Sequence, residues 1–310
     1  MTNLICGVDV CGQWLDAWVD GASCRFENSL AGVEGLVGFC RRHAVGLVVM
    51  EATGGYERLA FGGLWAEGVG CAVVNPRAVR QFAEAMGCLE KTDRIDAAAI
   101  AGYAQAKRIA AQPPAGEVQR KLAALVTRLR QLTALRTMQQ NQRRLVEDAD
   151  ALASIDEVLA LIGRQVRSFE AGIITAIAGD PLWARLDAAF RSIKGVADRT
   201  VARVLAELPE IGTLSNKAAA KLAGLAPLAR DSGKRVGKRA VRGGRSGVRS
   251  VLFVVAEIVR RHNPDFAAFH RRLTLAGKAK KVIRIALAHK LLIRLNAKAR
   301  DVRNQIECPA

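Results

Sequence analysis

Asp93 and Asp96 stand three residues apart in the run Lys91-Thr92-Asp93-Arg94-Ile95-Asp96. On a helix that spacing puts both carboxylates on one face, one turn apart. Like charges so close repel unless a cation sits between them. Two further acids close apolar runs: Asp9 after Leu4-Ile5-Cys6-Gly7-Val8, and Glu51 after Leu47-Val48-Val49-Met50. Four carboxylates at strand ends and on one helix face can hold Mg²⁺, which prefers oxygen ligands. Two such ions, roughly 3.5–4 Å apart, stabilise the attacking and leaving oxygens of a phosphoryl transfer. The competing reading is four unrelated surface acids.

A second candidate is Ser232, in Pro227-Leu228-Ala229-Arg230-Asp231-Ser232-Gly233-Lys234-Arg235. A serine before glycine commonly does turn chemistry. This one is surrounded by Arg230, Lys234, Arg235, Lys238 and Arg239, cations that suit a phosphate under attack by a hydroxyl. The wider stretch from Lys234 to Arg249, with Arg242 and Arg245, reads as a phosphate-backbone surface. Thr53, Tyr56, Lys91 and Thr92 lie near the acids in sequence; they either touch water or phosphate at the site or only cap helices.

The elements that must position these groups follow from periodicity. Apolar runs at 3–9, 14–19 and 22–26 predict a strand meander. A helix over 32–43, a buried strand over 46–50, a helix near 56–67 and a strand over 71–74 come next. Helices near 77–86 and 93–106 complete the region. Three strands, helix, strand, helix, strand, helix is the order of a ribonuclease-H-like α/β fold. Its acids fall on the first strand, at the end of the fourth, and on a closing helix, where Asp9, Glu51 and Asp93/Asp96 lie.

Gln112-Pro113-Pro114-Ala115-Gly116 marks a boundary. Helices are expected over 117–149 and 153–178. Leu122, Leu125, Leu129 and Leu132 step by 3, 4 and 3, a coiled-coil seam of about a heptad and a half. The pair is either a dimerising helical hairpin or two amphipathic helices of one domain. Ile193-Lys194-Gly195-Val196-Ala197 and Ile211-Gly212-Thr213-Leu214-Ser215 flank a helix in the manner of a helix-hairpin-helix, which offers backbone N–H groups to phosphate. Residues 230–249 read as a Gly/Arg/Lys-rich loop, and 250–261, 264–275 and 279–300 as helices. The expected organisation is an α/β domain over 1–110, a helical hairpin over 117–180 and a mostly helical domain over 190–300.

Charge divides the chain in the same sense. The formal net charge is +18. Residues 1–100 hold 8 Lys and Arg against 12 Asp and Glu, whereas residues 230–300 hold 20 against 3. An acidic front suits cations and a basic back suits a polyanion. Aromatic residues make up only 5% of the chain, which disfavours base stacking as the main binding mode. Seven cysteines, without a Cys-x-x-Cys pair, read as buried small apolar residues of a reducing compartment, not as a zinc site. With no membrane span or leader pattern, the expected location is the cytoplasm.

Three separated blocks carry a resemblance. They are Met50-Glu51-Ala52-Thr53-Gly54-Gly55-Tyr56-Glu57; Asn75-Pro76 followed by Lys91-Thr92-Asp93-Arg94-Ile95-Asp96-Ala97; and Ala223-Gly224-Leu225-Ala226-Pro227 with Ser232-Gly233. Together they resemble the transposases of the IS-one-ten insertion-sequence family, relatives of the Piv DNA invertases. The resemblance implies a RuvC-like front domain with a Mg²⁺ site at Asp9, Glu51, Asp93 and Asp96. It implies a transposase domain whose catalytic serine is Ser232, linked covalently to DNA as phosphoserine. It further implies a dimer or tetramer in which the serine of one subunit completes the acid site of another, and a structured non-coding guide RNA that selects donor and target DNA. Two alternatives stay open: a Piv-type invertase or RuvC-like endonuclease without guide RNA, and a non-catalytic nucleic-acid-binding protein.

Overall fold

Asp20 and Gly21, both at positive φ (45° and 87°), form the tight turn between the second and third strands of a five-stranded mixed sheet. Consecutive positive φ values define the hairpin turn whose twist matches its strands, and Asp-Gly is the dipeptide that tolerates it. The computed structural model describes residues 4–88, 93–229, 231–233, 237 and 239–307, apart from the side chains of Asp93, Arg94 and Glu307. The chain forms two compact units, Met1–Ala115 and Gly116–Ala310.

In the first unit, β1 (Leu4–Val10), β2 (Trp14–Val19) and β3 (Ala22–Glu27) form the antiparallel meander. α1 (Leu30–Arg42) crosses over to β4 (Val45–Glu51), parallel to β1, and α2 (Glu57–Ala66) crosses to β5 (Cys71–Val74), parallel to β4. α3 (Pro76–Ala85) and α4 (Asp93–Lys107) follow. The strand order is β3-β2-β1-β4-β5. Alternation along the strands feeds two cores. Cys6, Val8, Val48 and Met50 pack with Leu36 and Leu64 of α1 and α2. Leu47, Val49 and Val74 pack with Val79, Ile100 and Ala104 of α3 and α4.

Capping residues set where these helices begin. The Ser29 hydroxyl accepts the Gly32 N–H at the start of α1, and Asn75 caps α3 with Pro76 in the first turn, where its missing N–H costs nothing.

The second unit is helical: α5 (Glu117–Arg143), α6 (Ala149–Ala178), α7 (Pro181–Arg191), α8 (Asp198–Glu207), α9 (Asn216–Leu222), α10 (Ser246–His262), α11 (Pro264–Leu275) and α12 (Lys280–Glu307). The break between the two long helices falls at 144–148, earlier than periodicity placed it. There the Asp148 side chain caps the Ala151 N–H and starts a new helix. Leu122, Leu129 and Leu132 are buried, but in one continuous core with α6, α7, α8, α10 and α12. Their stripe therefore serves the interior of this unit at its base. Farther out, Leu135, Met138, Leu145, Val158 and Leu161 remain 40–85% exposed.

The cysteine reading holds for half of the described thiols. Cys6, Cys40 and Cys71 are buried, whereas Cys11, Cys24 and Cys88 lie at the surface. Among the described residues, no helix is long and apolar enough to cross a membrane.

Candidate functional site

The parallel pairing of β1 with β4 sets Val8 opposite Met50, so Asp9 and Glu51 are the next residues along adjacent strands. Both follow an inward residue of the α1/α2 core and therefore turn to the opposite face, which α4 covers. Gly7, two residues before Asp9, shows how closely that helix approaches. A Cβ on Gly7 would collide with the carbonyl oxygen of Ala97 and come within 2.7 Å of the Ala101 nitrogen. Ala97 directly follows Asp96 in the first turns of α4. The missing side chain thus lets the acid-bearing end of α4 lie on β1 beside Asp9. Asp9, Glu51 and Asp96 are all half-buried.

Asp93 opens α4, and its side chain lies outside the described residues. Among the described residues, no group of three His, Cys, Asp or Glu side chains is gathered closely enough to hold a metal ion. The donor type nonetheless fits a hard divalent cation: four carboxylates, with no thiol or imidazole among them.

The loop after Glu51 is held by its own chemistry. The Glu57 carboxylate accepts the N–H groups of Thr53 (3.1 Å) and Gly55 (2.9 Å) and the Thr53 hydroxyl (3.3 Å). Burial pushes the Glu57 carboxyl up, but these hydrogen bonds more than offset it and leave its pKa below the usual range. Asn28 ties this loop to the β1–β2 turn, donating from Nδ2 to the carbonyls of Cys11 (2.9 Å) and Tyr56 (3.1 Å). Tyr56 is more than half exposed, and its ring lies against Gly12. Thr53 is thereby engaged in shaping the loop.

Ser232 is exposed on a loop of the second unit. Its neighbour Asp231 closes that loop, accepting the Gly237 N–H at 3.0 Å and the Arg239 guanidinium at 2.6 Å. Arg239 and the Gly237 N–H hold the Asp231 carboxyl below the usual range. An isolated bridge, Leu228 N–H to Ala240 O at 2.9 Å, joins the two ends of the loop. Gly224 and Gly244 pack backbone against backbone below it, where a Cβ on either would collide with the other segment. The predicted cations divide here. Arg249 donates to the carbonyls of Gly243 (2.7 Å) and Gly224 (3.3 Å), and Arg245 forks onto Glu210 (2.5 and 2.6 Å) while also reaching the Glu207 carbonyl. Arg239 and Arg242 are exposed. Lys91, Arg230, Lys234, Arg235 and Lys238 lie outside the described residues.

Of the two glycine turns, Gly212 spends its N–H on the buried Asn296 Oδ1 at 2.9 Å. Asn296 in turn donates to the Leu214 carbonyl and to Asn216. This turn is docked on α12, and that N–H is not offered to a phosphate. Gly195, at φ 101°, packs against Val259 of α10. Sequence reasoning missed Gly7, Asn28, Glu57 and Asp231. Asp231 had a signal, as the only acid among the cations beside Ser232, and Glu57 closes the block Met50–Glu57 that carries the resemblance.

Two family models place this chain, an α/β unit joined to a basic helical unit, among transposases. Residues 17–146 match a DEDD transposase model of IS110 type, and residues 187–271 match the transposase model of the IS116/IS110/IS902 family. The chain belongs to this IS110 family of insertion-sequence transposases. Glu51, Asp93, Asp96 and Ser232 lie within the matched stretches, and Asp9 precedes the first. Pilin gene-inverting proteins of Moraxella bovis and Moraxella lacunata are each 28% identical over 314 residues, covering 94% of both chains. A Thermus thermophilus RuvC structure aligns with 35% of this chain and 98% of its own, at 16% identity and a TM-score of 0.28.

Proposed function

We propose that the protein cuts and rejoins DNA as the recombinase of an insertion sequence. In this reading the first unit is a RuvC-like domain that positions the scissile phosphate, and Ser232 attacks it. The placement of Asp9 and Glu51 on the sheet face covered by the Asp96 helix carries the reading, in a chain whose family is transposase. Asp9, Glu51, Asp93 and Asp96 would hold Mg²⁺. When bound there, the cation supplies Lewis-acid stabilisation of charge on the phosphate oxygens.

The Ser232 oxygen forms a bond to phosphorus, its proton passes to solvent or a base, and the strand's 3′ or 5′ oxygen leaves. A phosphoserine link conserves the energy of the broken linkage, so rejoining needs no ATP. Exposed Arg239 and Arg242, with Lys91, Arg230, Lys234, Arg235 and Lys238, take DNA phosphates. Arg245 and Arg249 act through the base of the serine loop, because both guanidiniums are engaged within the chain. Self-association brings the serine of one subunit to the acids of another, and a structured non-coding RNA chooses the DNA partners.

The test is a nicked suicide duplex incubated with protein and Mg²⁺, then run under denaturing conditions. Wild type gives a protein–DNA adduct, and Ser232→Ala gives none. Free ends at wild-type rate from Ser232→Ala would show that water is the nucleophile. A second reading, site-specific inversion without a guide RNA, is favoured by the two pilin gene-inverting relatives that match end to end. Sequencing RNA that copurifies with the protein separates the two.

A further inference from the structure

Beneath the serine loop the second unit contains an open cavity of about 740 Å³. That size falls within the roughly 300–1,000 Å³ of small-molecule sites. Its lining includes Pro227 and Val241, which flank the Leu228–Ala240 bridge, and Val282, Ile285 and Ile293 of α12. These residues give the cavity an apolar lining from two separate segments, the loop and α12. Arg239, Lys281 and Lys290 also line it, and among the described residues no acidic side chain does. Lys281 is exposed, Arg239 is shared with Asp231, and Lys290 donates to the Asp265 carbonyl. His289 adds a half-buried imidazole able to hydrogen-bond beside the apolar side chains.

We infer that this cavity receives one unpaired DNA nucleotide next to the bond that Ser232 attacks, its base between Pro227/Val241 and the α12 face and its phosphate at Lys281 and Arg239. The inference rests on the DNA-cutting reading above and goes beyond it. An apolar lining accepts the faces of a base, which carry no charge, and extruded bases are held in this way between apolar side chains. The cationic lining complements the phosphate that accompanies the base, a charge that a purely apolar peptide segment lacks. The cavity wall and the serine loop share the segment Arg239–Val241, so a nucleotide seated here is continuous with the strand at Ser232.

The experiment uses the full-length protein and a DNA duplex with a short single-stranded gap carrying 5-iodouracil, irradiated at low salt. The cross-linked peptide is mapped by mass spectrometry, and bound DNA is measured in parallel by anisotropy. The expected cross-link is at His289 or Phe269, both of which line the cavity. Ala286→Trp, which fills the floor, and Val282→Trp, placed at the half-exposed mouth, each lower cross-link yield per bound DNA at least about tenfold. Val282→Trp is the safeguard if Ala286→Trp fails to fold. DNA bound at wild-type level with cross-links only elsewhere overturns the pocket and leaves the DNA-cutting reading standing. So does a yield unchanged in Val282→Trp, or a stronger cross-link to an RNA strand of the same sequence. No DNA binding at low salt overturns both.

Discussion

Gly7 is one of the most tightly packed glycines of the first unit. Its hydrogen faces the Ala97 carbonyl and the Ala101 nitrogen, both backbone atoms of α4 that no side-chain rotation can move. Gly7→Ala must therefore push α4 off β1 or unwind its first turns. Overpacking of this kind costs about 1–3 kcal/mol, and a rigid backbone neighbour puts it at the upper end. The expected result is a drop of that size in denaturant unfolding free energy, and a loss of DNA cleavage larger than the fraction unfolded explains, because Asp96 moves with the helix. Cleavage at wild-type rate by a folded Gly7→Ala protein would detach Asp96 from the chemistry.

Glu210 gives a second test at this scale. Burial pushes its carboxyl up, but the Arg245 fork and a backbone N–H more than offset that and hold it below its ordinary value of 4.5. A depressed folded-state pKa stabilises fully above the unfolded value and is lost as pH falls through the folded one. The clamp under the serine loop is thus intact at pH 7 and weakens below about pH 4.5. Comparing thermal unfolding from pH 7 to 3.5, wild type should lose more stability than Glu210→Gln, which has no proton to gain.

The long helices α5 and α6 show how a single element divides its labour. At the base, Leu122, Leu129, Ile173 and Ile177 are interior residues of the second unit. At the far end, Leu135, Met138, Val158 and Leu161 are exposed at helical spacings. If that end joins protomers, as the proposed recombinase requires, Leu161→Glu paired with Met138→Glu yields a monomer by analytical ultracentrifugation without lowering the melting temperature. An unchanged mass would place self-association elsewhere.

The same elements show what a sequence conveys. The strand meander, the crossovers and the acids at strand ends were legible because local periodicity and apolar runs encode them. The heptad in α5 was legible as a stripe, but not as to which surface it covers, since its partners on α6 and α8 lie far along the chain. The Asn296–Gly212, Arg245–Glu210 and Gly7–Ala97 contacts were illegible for the same reason: each joins residues 35 or more positions apart. Reading Arg245 and Arg249 as phosphate contacts counted their charge, which sequence displays, and not their carbonyl and carboxylate partners, which only folding brings near.

Across the whole molecule the net charge of +18 is concentrated in residues 230–300, so ionic strength should govern affinity more than base sequence does. A protein contacting about 6–10 phosphates loses roughly 10³–10⁵ in affinity between 50 and 200 mM salt. Each contact removed lowers the slope of log affinity against log salt by about 0.9. Those two facts separate cations that touch DNA from cations that build the protein. Arg242 is exposed, whereas Arg249 is committed to the carbonyls of Gly224 and Gly243. Arg242→Gln should therefore reduce the slope by about 0.9 and leave unfolding unchanged. Arg249→Gln should leave the slope intact, lower stability by about 1–3 kcal/mol through the two carbonyls it abandons, and reduce adduct formation at Ser232 by loosening the loop. Anisotropy titrations on a mixed-sequence duplex across that salt range decide it. Equal slope losses in both variants would mean that Arg249 leaves its carbonyls for phosphate when DNA binds, and that the base of the serine loop rearranges on the substrate.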